Sequence, residues 1–209
     1  TLDEEWVENR FNVEPSVYSY MRQQRDGPFW DRASARDQYE KIKVPGYHIG
    51  GWYDGYRNSL PRMLEHVDAP TKALIGSWDH DFPHNAWHEP RIEWRHEAVR
   101  WFDHWLKNED TGILEEPDFA VYVRDYYAPD PDIRKMPGHW RWEDSWPIER
   151  IDYQDWYADP EHGLSLEPAE TTTHTLVYKP SVGLEGGGPT MWWGSITTDQ
   201  QPMDDDSLV

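Results

Sequence analysis

Cysteine is absent from these 209 residues, which excludes a disulfide framework and any thiolate metal site. Positive charge is scarce: 20 Lys and Arg stand against 40 Asp and Glu, a formal net charge of −20. A nucleic-acid partner needs a basic stripe to neutralise its phosphates, and no segment offers one. An anionic membrane surface repels such a chain for the same reason. Long apolar runs are missing too, and none approaches the roughly 20 residues that cross a bilayer. The opening Thr1-Leu2-Asp3-Glu4-Glu5 lacks the basic and apolar regions of a signal peptide. With no initiator Met and an abrupt end at Leu208-Val209, the chain reads as a piece of something longer.

What is present compensates for the modest 37% hydrophobic share: aromatics make up 15%, with 14 Trp. Large rings bury much area per residue, so the composition still closes a core. Arg outnumbers Lys, and acidic residues are spread along the whole length. Self-repulsion on this scale costs stability that salt restores. The expectation is a protein that tolerates or needs high ionic strength; an ordinary acidic surface is the plainer alternative.

Three zones follow in order. Residues 1–40 are polar and aromatic, with short helical patterns around Glu4–Asn12 and Val17–Arg25. Residues 41–116 alternate apolar runs with amphipathic helices, the pattern of α/β layering. From Pro117 short β-type runs are broken by Pro and Gly, which reads as an all-β unit. Within the middle zone, Val44–Ile49 reads as a buried strand ended by a turn at Gly50-Gly51. A helix then starts with Ser59 as N-cap and Pro61 in its first turn, burying Leu60, Met63, Leu64 and Val67. Ala73-Leu74-Ile75 reads as a second strand ending at Gly76. Arg91 to Lys107 reads as the strongest helix, with Trp94, Ala98, Trp101, Phe102 and Trp105 on one face and Asn108 as its stop.

Two constellations carry the chemistry. Gly50-Gly51-Trp52-Tyr53-Asp54-Gly55 presents a carboxylate between glycines after the first strand, and Gly76-Ser77-Trp78-Asp79-His80 presents an imidazole after the second. In parallel α/β sheets that edge carries ligands and catalysis. A carboxylate that fixes a histidine's tautomer is half of a serine-hydrolase triad. Asp before His is the chain order of α/β hydrolases, whose nucleophile comes first.

Further motifs make the likeness specific. Lys43-Val44-Pro45 followed by Tyr47 to Gly55 resembles the acid loop of the cocaine-esterase / X-Pro dipeptidyl-peptidase family, the peptidase S15 group. Gly76 to His80 resembles its histidine loop. Trp101-Phe102-Asp103, Trp105-Leu106-Lys107 and Asp110-Thr111-Gly112 resemble the following helix and turn. Glu116-Pro117 to Val123, Trp140 to Pro147, and Asp199 to Val209 resemble parts of the C-terminal jelly roll.

The resemblance implies an α/β fold: the C-terminal part of an α/β-hydrolase sheet followed by a partial β-sandwich (jelly roll). Residues 1–40 would be the end of a helical cap, 41–116 the part of the hydrolase domain with both loops, and 117–209 the partial jelly roll. It implies Asp54 as triad acid and His80 as general base, acting on a small-molecule ester or peptide through an acyl-enzyme, with no cofactor. A homo-oligomer of the complete enzyme is left open. The nucleophilic serine and oxyanion donors of the family lie upstream, and no serine here sits in a Gly-x-Ser-x-Gly elbow. The chain alone is therefore expected to be inactive. Asp54 is followed by Gly55, Tyr56 and Arg57 rather than by the extra carboxylates of the α-amino-acid ester hydrolase branch. That favours uncharged or aromatic acyl groups, with Trp52, Trp78 and Trp87 as candidate pocket walls; plain packing of these rings is the equal alternative.

Two other readings compete. His80, His84 and His88 recur every four residues with Glu89 alongside, a spacing that on a helix shares a metal. Pro83 and Pro90 argue against a regular helix there. The Trp-rich third zone would alternatively form a noncatalytic carbohydrate- or partner-binding β module.

Overall fold

The computed structural model describes residues 3–173 except 129, 131, 161, 162 and 172. The chain divides after Ile42 into two compact units. The first carries α1 (Glu4–Phe11), α2 (Ser16–Arg22) and α3 (Pro28–Asp31), closed by a 3₁₀ turn at Tyr39–Lys41. Asp3 caps α1 by accepting from the Trp6 amide at 2.8 Å, with Glu4 and Glu5 in the first turn where the helix dipole favours them. Tyr20 stacks on Trp30 at 5.5 Å, and Phe29 meets Trp30 edge-on.

The second unit is built on a four-stranded sheet in the order β1 (Gly46–Gly51), β2 (Thr71–Gly76), β3 (Phe119–Arg124), β4 (Gly138–Glu143). The first three strands are parallel and β4 is antiparallel to β3. Pairing runs from Gly46↔Thr71 to Gly51↔Gly76, so β1 and β2 end level with each other. Successive β2 residues face opposite ways. Ala73 and Ile75 pack with Leu60, Phe119 and Val121 on one face. Leu74 packs with Trp78 and Ala86 on the other. Helix α4 (Ser59–His66) covers the first face through Leu60 and Leu64. On the second face, the 13-residue α5 (Arg95–Lys107) sets Trp101 edge-on to Tyr47 at 5.6 Å. The left-handed Asn108 ends α5, as its sequence position suggests.

Several sequence expectations shift. The first strand lies two residues later than Val44–Ile49, and Gly50-Gly51 are strand residues rather than a turn. Asn58, not Ser59, occupies the N-cap of α4 and makes no side-chain cap bond. Helix α5 begins at Arg95 instead of Arg91. Residues 91 and 92 are held in the preceding loop by Arg91 Nε to the Ala86 carbonyl (2.8 Å) and by the Ile92 amide to Pro83. Phe102, expected on the buried face, is 56% exposed, whereas Trp101 is buried.

The separate β unit expected from Pro117 does not open there. Strand β3 takes its hydrogen bonds from β2 and extends the sheet that carries both loops. The buried Lys72 reinforces that join, donating from Nζ to the carbonyls of Glu116 (2.5 Å) and Pro117 (3.0 Å). Two further short strands, β5 (Tyr157–Ala158) and β6 (Leu164–Ser165), pair antiparallel in a second sheet. The remaining motifs of the expected jelly roll, from residue 174 on, lie outside the described residues. Among the described residues no helix is long and apolar enough to cross a membrane.

Candidate active site

The level ends of β1 and β2 continue as two loops zipped by backbone bonds. The Trp52 amide donates to Gly76 O (3.0 Å) and the Tyr53 amide to Trp78 O (2.9 Å). Three residues beyond Gly51 and four beyond Gly76, Asp54 and His80 meet: Asp54 Oδ2 lies 2.9 Å from His80 Nδ1. The other carboxylate oxygen, Oδ1, accepts from the Tyr56 amide at 2.8 Å. The turn is closed by the Asp54 amide donating to Gly51 O (3.1 Å). The Asp54 side chain is 14% exposed and that of His80 47%, so the carboxylate is held inside while the imidazole opens outward. With a carboxylate at Nδ1, the Nδ1–H tautomer is favoured and Nε2 carries the lone pair. Such a ring accepts a proton from a hydroxyl presented at Nε2.

A cavity of about 370 Å³ adjoins the pair, walled by Ile49, Trp78, Phe82, Pro83 and Trp94. Of the three candidate pocket tryptophans, only Trp78 lines this cavity. It is 1% exposed, and its Nε1 donates to Pro90 O at 2.7 Å. Trp52 packs against the opposite sheet face, donates to Tyr122 O (2.7 Å) and lines a different cavity of about 610 Å³. Trp87 sits in the same loop as His80 but under the Arg134 guanidinium, 3.8 Å from the ring centroid.

Three aromatic residues that the sequence does not mark for the site, Phe82, Trp94 and Tyr56, come to it. Trp94 was expected on the core face of a longer helix. It instead precedes α5, stacks on Phe82 at 5.4 Å and forms a cavity wall. Tyr56 sets its ring 5.7 Å from that of His80. The helical period assigns Trp94 to the core and no period marks Tyr56; the Pro-broken run before Trp94 is the hint that the helix starts late.

The histidines of the competing metal reading face different partners. His80 meets Asp54, His84 Nδ1 accepts from Trp94 Nε1 at 3.1 Å, and the fully buried His88 stacks on Tyr53 at 4.3 Å. Among the described residues no group of three or more His, Cys, Asp or Glu is placed to hold a metal ion. Without a regular helix between Pro83 and Pro90, the four-residue spacing does not bring the rings to one face.

Residues 2–81, which contain both loops, match the model of the X-Pro dipeptidyl-peptidase (S15) family. Proteins of Mycobacterium bovis and Mycobacterium tuberculosis, each named as a proposed serine esterase, are 28% identical over 124 residues. Those matches cover 54% of this chain and 18% of each relative. The fold resembles two crystal structures of a CocE/NonD family hydrolase from Staphylococcus aureus, with TM-scores of 0.53 and 0.56 at 18% and 17% identity. Each covers 78% of this chain and 27% of the solved one.

Proposed function

We propose that the chain is a hydrolase of the S15, CocE/NonD type, on the match of residues 2–81 to the S15 family and the likeness to serine esterases, and that it supplies the acid and the base of a serine-hydrolase triad. The contact of Asp54 Oδ2 with His80 Nδ1 at 2.9 Å carries this reading. His80 Nε2 takes the proton of a serine hydroxyl as that oxygen attacks an ester or an X-Pro-type amide carbonyl, and returns it to the leaving group. Asp54 orients the ring and stabilises the imidazolium that forms. Water then cleaves the acyl-enzyme by the same proton route in reverse.

The nucleophile and oxyanion donors belong to another part of the hydrolase, since no serine of this chain occupies an elbow motif. The cavity beside the pair supports an uncharged or aromatic acyl group, for its walls include Trp78, Phe82 and Trp94. Asp79 and Asp81 also line it, and their carboxylates disfavour an anionic substrate.

Turnover of a p-nitrophenyl ester by the complete hydrolase tests the assignment. Asp54→Asn should lower kcat by about 10⁴-fold, the loss seen when a triad histidine is left in the wrong tautomer. Replacing His80 should cost about 10⁶-fold. A fluorophosphonate should label a serine outside these 209 residues and leave the isolated chain untouched. Stoichiometric labelling of any serine within the chain, or an Asp54→Asn enzyme of full activity, would refute the reading.

A further inference from the structure

We infer that Tyr53 is a positioning residue of the Asp54–His80 pair, its ring stacked on His88 so as to hold the aspartate loop against the histidine loop. The role rests on the proposed acid–base pair and adds to it. Tyr53 immediately precedes Asp54, so any rotation of its peptide swings the carboxylate. Its ring lies 4.3 Å from the His88 ring at an interplanar angle of 21°. His88 is fully buried and belongs to the loop that carries His80. The stack therefore straps the two loops together on the residue next to the acid, in addition to the bond from the Tyr53 amide to Trp78 O.

The far end of the ring is anchored as well. The Tyr53 hydroxyl forms a short hydrogen bond with the Tyr127 hydroxyl, and the Arg124 guanidinium lies 5.0 Å from the ring centroid. Arg124 and Tyr127 stand at the exit of β3. Burial, and then the bond to Tyr127, push the hydroxyl's pKa up, so it stays a neutral hydrogen-bonding group. One side chain thus connects the exits of β1, β2 and β3 at the point where a displacement of about 1 Å would cost catalysis on the order of 10²-fold.

The test reads His80 by NMR in the nitrogen-15-labelled 209-residue chain. Its two observables are the downfield Hδ1 resonance of a carboxylate-bound imidazole and the ratio of Nδ1–H to Nε2–H forms. Asp54→Ala comes first. If the resonance persists there, the acid–base pair itself is wrong, whatever Tyr53 does. If it is lost, Tyr53→Leu and His88→Leu should each lose it and shift neutral His80 to the Nε2–H form. Tyr53→Phe, which keeps the stack, should retain both signals. A residue serving stability alone would lower the melting temperature of the Leu variants and leave the resonance of the folded molecules in place, an outcome that overturns the proposal. Cross-relaxation between the Tyr53 and His88 rings in the unsubstituted chain decides the matter if neither Leu variant folds: rings in contact support the strap, and rings apart overturn it.

Discussion

A Cβ added to Gly51 would stand 2.1 Å from the carbonyl oxygen of Trp78, the same oxygen that accepts from the Tyr53 amide. Backbone on one side and a laddered loop on the other leave a methyl group no side chain to push aside. At Gly50, one residue earlier, the nearest obstacle is Leu60 Cδ1 at 3.1 Å, the end of a side chain that can adjust. Gly51→Ala should therefore destabilise the fold by about 3 kcal/mol, the upper range of overpacking costs, and Gly50→Ala by about 1 kcal/mol. Urea denaturation of the two variants checks the difference. Equal midpoints would mean that the loops do not approach as closely as the structure has them. Gly51 thus lets the two loops that carry Asp54 and His80 lie backbone to backbone.

At the scale of elements, loops tied to local residue chemistry were legible and their partnerships were not. Asp54 and His80 could be read because each follows a short apolar run and a glycine, and because parallel strands put such loops on one edge. Three placements are set by neighbouring segments more than by the local run. Strand β3 reads as the opening of a separate all-β unit, yet it buries Phe119 and Val121 against β2. Trp94 fits a helical stripe, yet the Pro-bounded loop before it keeps that turn unwound. Trp52 lies one residue past Gly51 and Trp78 two past its register partner Gly76, and with that offset of one the two rings pack on opposite faces of the sheet.

Strand β4 offers a test at the same scale. Glu143, its last residue, is 6% exposed and receives Arg141 Nε at 2.6 Å and Arg150 Nη1 at 2.7 Å. The Arg150 bonds, outweighing the burial that opposes them, hold the Glu143 carboxyl below the usual carboxylate range. A folded pKa lower than the unfolded one adds stability that is fully present above the unfolded value near 4.5 and is lost as pH falls toward the folded one. Melting temperature measured against pH should therefore fall more steeply below about pH 5 for the native chain than for Glu143→Gln. Parallel curves would show that the arginines leave the carboxyl's acidity unchanged.

For the molecule as a whole, charge sets the balance. The formal charge of −20 is opposed by ion pairs such as Arg36–Asp26 at 2.7 Å and Lys107–Asp103 at 2.7 Å. Exposed pairs of this kind contribute about 0–1 kcal/mol each, and salt weakens them. Salt also screens the repulsion that comes from the excess of carboxylates, which acts over longer distances and among many more partners. The long-range term is reduced first, because the screening length is about 30 Å at 0.01 M and about 8 Å at 0.15 M, whereas a paired Arg and Asp sit within hydrogen-bonding distance. The melting temperature should accordingly rise as sodium chloride goes from 0.01 M to a few tenths molar and then level off. A rise that continues linearly into the molar range would instead point to salt exclusion from the protein surface, and a fall from the lowest concentrations would mean that the ion pairs outweigh the net charge.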